Sequence, residues 1–197
     1  MIDGLGGSGK TTQVEMLKGR MPDAVFTKEP GGAPRAEKIR FILKEGDGDA
    51  MAPLADFFLF WAARAEHIHA LIRPALSEGK TVVSDRFDSS TFAMQVRGDE
   101  QSNLEDFFWQ CRSATLGDFA PDTYIILDAA HATAKNRRTG RNQGEDRFDD
   151  RGEAYQLRVR EGYKEFVTHI GGHVIDAGRR PEEVAGEIWR IVEPLIT

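Results

Sequence analysis

Four glycines, a lysine and a threonine near the start of the chain carry the clearest chemical signal. Gly4-Leu5-Gly6-Gly7-Ser8-Gly9-Lys10-Thr11 fits the spacing G-x-x-x-x-G-K-[ST], and Thr12 extends it. A polyphosphate binds such a loop through backbone N–H groups converging on one concavity, reinforced by the N-terminus of the following helix. Side chains would obstruct that approach, and Gly4, Gly6, Gly7 and Gly9 remove them. Lys10 is placed to reach the β- and γ-phosphates, and the Thr11 hydroxyl to hold Mg²⁺. Residues 4–12 therefore read as a nucleotide-phosphate site.

Three further groups of residues have types and spacings suited to chemistry. Phe60 and Arg64 lie four apart and share one face of a helix. An aromatic face beside a planar donor suits a pyrimidine ring. Asp85-Arg86 closes the run Thr81-Val-Val-Ser-Asp85, and the carboxyl end of a parallel strand faces the ligand crevice. Finally, residues 135–147 hold Arg137, Arg138, Arg141 and Arg147, broken by Gly140 and Gly144. That segment reads as an exposed, mobile loop, a lid over about residues 135–150. Phosphoryl transfer asks for cations around the migrating group and for exclusion of water, and such a lid offers both.

The elements that must position these groups alternate along the chain. Strands are expected at Ala24–Thr27, Thr81–Asp85, Tyr124–Asp128 and His173–Asp176. Helices are expected at Thr11–Gly19, Arg35–Lys44, Leu54–Ser77, Leu104–Leu116, Glu153–Ile170 and Pro181–Leu195, the last opened by Pro181 with Glu182 and Glu183. This alternation implies a parallel sheet covered on both faces, in one domain spanning residues 1–197. Only Met1, Ile2 and Asp3 precede the phosphate loop, fewer than an ordinary strand holds. The expectation is that the chain lacks native residues there. Restoring about four to six apolar residues, enough for a strand of ordinary length, should then raise the melting temperature.

Composition narrows the partners. A net charge of −6 argues against nucleic acid binding through a broadly basic surface. The single cysteine, Cys111, cannot form an internal disulfide and fits a reducing compartment. No run reaches the length of a membrane span, and the first residues lack a signal peptide's pattern, so a cytoplasmic protein is expected. The histidines show no metal-ligand spacing.

Six short motifs then occur in order: Phe26-Thr-Lys-Glu-Pro-Gly-Gly32, Ala36-Glu-Lys-Ile-Arg40, Phe60-Trp-Ala-Ala-Arg64, Ser84-Asp-Arg-Phe87, Leu116-Gly-Asp-Phe-Ala-Pro-Asp122 and Asp146-Arg-Phe148. Together with the phosphate loop they make the chain resemble the thymidylate kinases, from Ile2 to about Val184. The resemblance implies the P-loop nucleoside-monophosphate-kinase fold, a five-stranded parallel sheet ringed by helices with a small basic lid. It implies ATP as co-substrate, Mg²⁺, dTMP as acceptor and a homodimer. It carries Asp3 over as the carboxylate near the acceptor's sugar hydroxyl and phosphate, and Phe60 as stacking on thymine with Arg64 donating to the base. Arg86 becomes the catalytic contact to the dTMP phosphate, Arg40 a second phosphate ligand, and Ser90 and Gln95 polar contacts. Asp85 joins Thr11 in the Mg²⁺ network. Lys28 stands where the family more often has Arg. Because no basic side chain precedes Lys10 in the phosphate loop, the chain resembles the lid-arginine subgroup common in bacteria. Arg141 and Arg147 then act as catalytic cations. One departure is Met94, where the family usually has a tyrosine under the sugar.

Other readings of the loop are a kinase for a different pyrimidine nucleoside monophosphate, a deoxynucleoside kinase, a nucleotide-dependent switch, or a non-catalytic nucleotide-binding module. Two cations at an acceptor phosphate, Arg40 and Arg86, disfavour a nucleoside kinase. No N-K-x-D guanine-reading motif occurs. An intact set of Lys10, Thr11, Asp85 and Arg86 disfavours a binding module.

Overall fold

A computed structural model of the chain describes residues 1–44, 51–139 and 151–196. Five parallel strands form one sheet in the order β2-β3-β1-β4-β5: β1 Ile2–Gly4, β2 Val25–Lys28, β3 Val82–Asp85, β4 Ile125–Asp128 and β5 His173–Asp176. The expected parallel α/β architecture is present. β1 holds the centre, with Ile2 opposite Asp85 on one side and Ile125 on the other. Its three residues are one fewer than each neighbouring strand has.

Side chains alternate across a strand, and β4 shows why both faces need helices. Ile125 and Leu127 pack into a cluster with Val14 and Leu17 of α1 (Lys10–Lys18) and Val184 and Ile188 of α9 (Pro181–Val192). Tyr124 and Ile126 point the other way, into a larger cluster. That cluster is built from the remaining long helices, beginning with α3 (Pro53–His67). A π-helical turn, Ile68–Ile72, joins α3 to α4 (Arg73–Ser77), so the rod expected at Leu54–Ser77 is one continuous element. α6 (Glu105–Leu116) and α8 (Glu153–Ile170) complete this face, while α2 (Pro34–Lys44) packs on α3. α9 buries Val184, Ala185, Ile188 and Val192, one stripe at helical spacing.

Two helices depart from the expectations. α5 (Asp88–Thr91) continues as a π-helix over Phe92–Gly98, where no helix was expected. α7 (His131–Thr139) covers a stretch whose last five residues read as loop. Its helicity follows from contact with α8 and the phosphate loop rather than from an apolar face, since only Ala134 and Arg138 are buried. Arg141 and Arg147 lie outside the described residues, as does the rest of the expected lid.

Candidate functional site

The phosphate loop leaves the carboxyl end of the central strand and enters α1 at Lys10, so its N–H groups converge where a parallel sheet opens to ligands. Lys10 curls back over the loop, its Nζ donating to Gly4 O and Leu5 O at 2.9 Å each. Gly7 needs its missing side chain for a reason the motif does not reveal. A Cβ there would lie 2.2 Å from Ala134 O of α7, so the glycine lets the loop press against that helix. Arg138 of α7 completes the contact, donating from Nη1 to Gly6 O at 2.7 Å, while its Nε is buried without a partner. On the outer side of the loop, Ser8, Gly9 and Thr12 line a cleft of about 400 Å³ with Arg137 and Arg179.

On the inner side, Leu5 and Gly6 also form part of a cavity of about 690 Å³, well within the range of small-molecule sites. Phe60 and Arg64 both stand on its wall, as their spacing on α3 requires. Arg86, Ser90 and Met94 are on the wall too. Arg64 is fully buried between the rings of Trp61 and Phe87, its Cζ 4.6 and 5.3 Å from their centroids. Nε donates to Glu29 Oε2 at 2.9 Å and Nη2 to Thr91 Oγ1 at 3.1 Å. Nη1 has no hydrogen-bond partner.

Asp3 sits beneath the cavity with no exposed surface and accepts hydrogen bonds from every side. Gly4 N donates to Oδ1 at 2.8 Å, Tyr163 Oη at 2.9 Å and Arg86 Nη1 at 3.1 Å. The hydroxyls of Ser89 and Ser90 donate to Oδ2, both at 2.7 Å. Arg86 adopts φ 70°, a left-handed backbone uncommon for a residue with a side chain. Strain of that kind persists only where neighbours enforce it, here Arg86 N donating to Ile2 O and Ser84 Oγ donating to Arg86 O. The Tyr163 phenol is raised well above its ordinary range by burial and then by the Asp3 charge. It therefore stays protonated and donates. Burial also pushes the Tyr155 phenol up to about 12.

Not every expected contact is brought to this wall. Gln95 is buried and turned to α3, its Nε2 donating to Asp56 Oδ2 at 2.9 Å, and it does not line the cavity. Arg40 is bound to the rim, donating to Pro30 O at 2.5 Å. Asp85 faces a different cleft, of about 850 Å³, shared with Thr11 and Lys28, and its Oδ1 is buried without a hydrogen-bond partner. A hydroxyl and an unpartnered carboxylate oxygen on one cleft are hard oxygen donors suited to Mg²⁺. Conversely, Tyr155, Gln156, Val159 and Tyr163 of α8 line this cavity without having been singled out as site residues. Their spacing of three to four did mark one helix face, but it looks the same as an ordinary core stripe. Glu29 stands in the motif Phe26–Gly32, which by itself assigns it no role.

A phosphate loop opening on a separate, arginine-lined cavity of nucleotide size is the arrangement of the P-loop nucleoside-monophosphate kinases. The family model described as thymidylate kinase matches residues 2–188. A thymidylate kinase from Symbiobacterium thermophilum is 39% identical, over 99% of this chain and 92% of its own. One from Jannaschia sp. is 37% identical over 97% and 93%. The crystal structure of thymidylate kinase from Ehrlichia chaffeensis superposes with a TM-score of 0.73 at 26% identity, covering 98% of this chain and 96% of that one. The chain belongs to the thymidylate kinase family.

Proposed function

We propose that the chain transfers the γ-phosphoryl group of ATP to dTMP, giving ADP and dTDP. The observation that carries this is the shared wall: Leu5 and Gly6 belong both to the phosphate loop and to the cavity holding Phe60, Arg64 and Arg86. Donor and acceptor phosphates would meet across that loop. Phe60 supplies a face for the base, Arg64 Nη1 a donor to its edge, and Arg86 a cation for the acceptor phosphate. Asp3, Ser90 and Tyr163 hold the Arg86 guanidinium in place, which is the positioning that phosphoryl transfer depends on. The acceptor phosphate is itself an anionic nucleophile, so no dedicated general base is required.

Thr11 and Asp85 are the residues that would hold Mg²⁺, which when bound supplies charge neutralisation at the donor phosphates. Lys10 places its ammonium over the loop. By the same reading Arg141 and Arg147 add the lid's cations, and Arg40 a second cation for dTMP at the rim. Lys28 keeps a cation on the Asp85 cleft without the fork of an arginine.

Among the described residues no helix is long and apolar enough to cross a membrane, in keeping with a cytoplasmic enzyme. Exposed Leu54, Phe58 and Phe107, the last two in edge contact at 5.9 Å, offer an apolar face on α3 and α6 for a homodimer. Sedimentation of Phe58→Asp against the parent chain tests that face.

The deciding experiment is ADP production with ATP, Mg²⁺ and each nucleoside monophosphate in turn, repeated with Arg64→Ala. The expected result is a strong preference for dTMP that the variant loses. Equal activity on UMP or CMP would move the substrate, and Met94 on the cavity wall would be the residue to change next.

A further inference from the structure

Glu29 uses its two carboxylate oxygens on two different partners. Oε2 accepts from Arg64 Nε, and Oε1 lies 3.0 Å from His67 Nδ1. A carboxylate oxygen only accepts, so Nδ1 carries the ring proton. In the neutral ring, Nε2 then accepts from the hydroxyl of Thr27, 2.7 Å away in β2. His67 is wholly buried, and Glu29 and Arg64 nearly so. The turn after Glu29 closes over this array. A Cβ on Gly32 would come within 2.4 Å of Thr27 Oγ1 and 2.6 Å of His67 Nε2, so a side chain there would force the pair apart.

The outcome is a directed chain of hydrogen bonds, Thr27 to His67 to Glu29, with Arg64 donating into its far end. A glutamate alone has several rotamers, and an arginine held by one oxygen of a free carboxylate would swing with it. Here Oε1 is tied down, and so is Oε2. Arg64 spends Nε on Glu29 and Nη2 on Thr91, leaving Nη1 as the one guanidinium nitrogen without a partner, on a side chain that lines the acceptor cavity.

We infer that His67 is a positioning residue for the acceptor: by fixing Glu29 it holds Arg64 in the one orientation that keeps Nη1 unpaired beside the cavity that takes the pyrimidine nucleotide. This rests on reading the cavity as the dTMP site. His67 touches no substrate, and its effect belongs in acceptor binding, not in the donor half.

Two amide variants separate the two ring nitrogens. In His67→Asn the amide nitrogen stands near Nδ1 and keeps the bond to Glu29. In His67→Gln the amide reaches the place of Nε2 and keeps Thr27 instead. With both variants shown to be folded by thermal unfolding, the expected KM for dTMP rises about tenfold in His67→Gln, the loss of one well-placed hydrogen bond, and stays within about threefold in His67→Asn. The KM for ATP is unchanged in both. Equal effects in the two variants, or none, would make His67 a packing residue and overturn the inference. If His67→Gln does not fold, Glu29→Gln replaces it, and an unchanged dTMP KM there overturns the inference equally. A parent chain with no transfer to dTMP at all would instead remove the cavity reading, and the inference with it.

Discussion

The donor loop and the acceptor cavity touch at Leu5 and Gly6, yet they are built in opposite ways. The loop is one run of nine residues whose functional groups are mostly main-chain N–H. The cavity is assembled from Glu29, from Phe60 and Arg64 on α3, from Arg86 and Ser90, and from Tyr155, Gln156 and Tyr163 on α8. Its functional groups are side chains, and Arg64, Arg86 and Tyr163 are fixed by other side chains distant in sequence. Asp3 and Tyr163, for example, are 160 residues apart. A backbone cradle needs only the right local conformation, whereas a side-chain pocket needs the whole core to be in place.

That contrast can be broken by variants. Lys10→Ala should have the largest effect: kcat falling about 10³-fold, as for removal of a preorganised donor at developing charge. Calorimetry should find dTMP affinity unchanged; a parallel loss of dTMP binding would show that the two regions are not separable. Arg86→Lys comes next. It keeps the charge but loses the guanidinium geometry that binds Asp3, Ser90 and Tyr163 together. The expected loss in kcat/KM for dTMP is about 10²-fold, with the KM for ATP little changed.

Arg138→Met tests whether the donor loop is as self-sufficient as its sequence implies. Loss of the bond to Gly6 O, worth about 1 kcal/mol, should raise the KM for ATP about fivefold in steady-state assays. No change would mean the loop holds its own shape without α7. The smallest effect is expected where no residue of either region is changed. Asp128 receives Arg160 on both oxygens and has Lys164 at 3.5 Å. Burial would raise its pKa, but the hydrogen bond and charge of Arg160, with Lys164, outweigh it and hold the carboxyl below its ordinary value. A folded pKa below the unfolded one stabilises above the unfolded value, about 4, and that stability is lost as pH falls through the folded value. Asp128→Asn should therefore lower the melting temperature by about 3 °C at pH 7, for roughly 1 kcal/mol, and the gap should close as pH falls below the unfolded value.

The difference between the two regions also explains which residues could be read directly. Phe60 and Arg64 were legible because the helix spacing of four needs no tertiary knowledge. Gln95 was expected beside them, yet its amide is taken up by Asp56 of α3, a partner that its local spacing does not reveal. The stripe of Tyr155, Val159 and Tyr163 was visible as periodicity, but a cavity wall and a core face share the same period. α7 was read in part as loop because its polar sequence carries no buried stripe, and its order comes from lying against Gly6 and Gly7.

The sequence by itself determined the phosphate loop, the alternation that makes a parallel sheet, and the family resemblance, because each depends on local residue type and order. Tertiary structure alone decided that Asp3 is a buried hub, that Glu29 and His67 stand behind Arg64, and that α8 walls the cavity. Those roles depend on which side chains meet after the helices close over the sheet, and a hydrogen bond formed across 160 residues leaves no mark on the local sequence at either end.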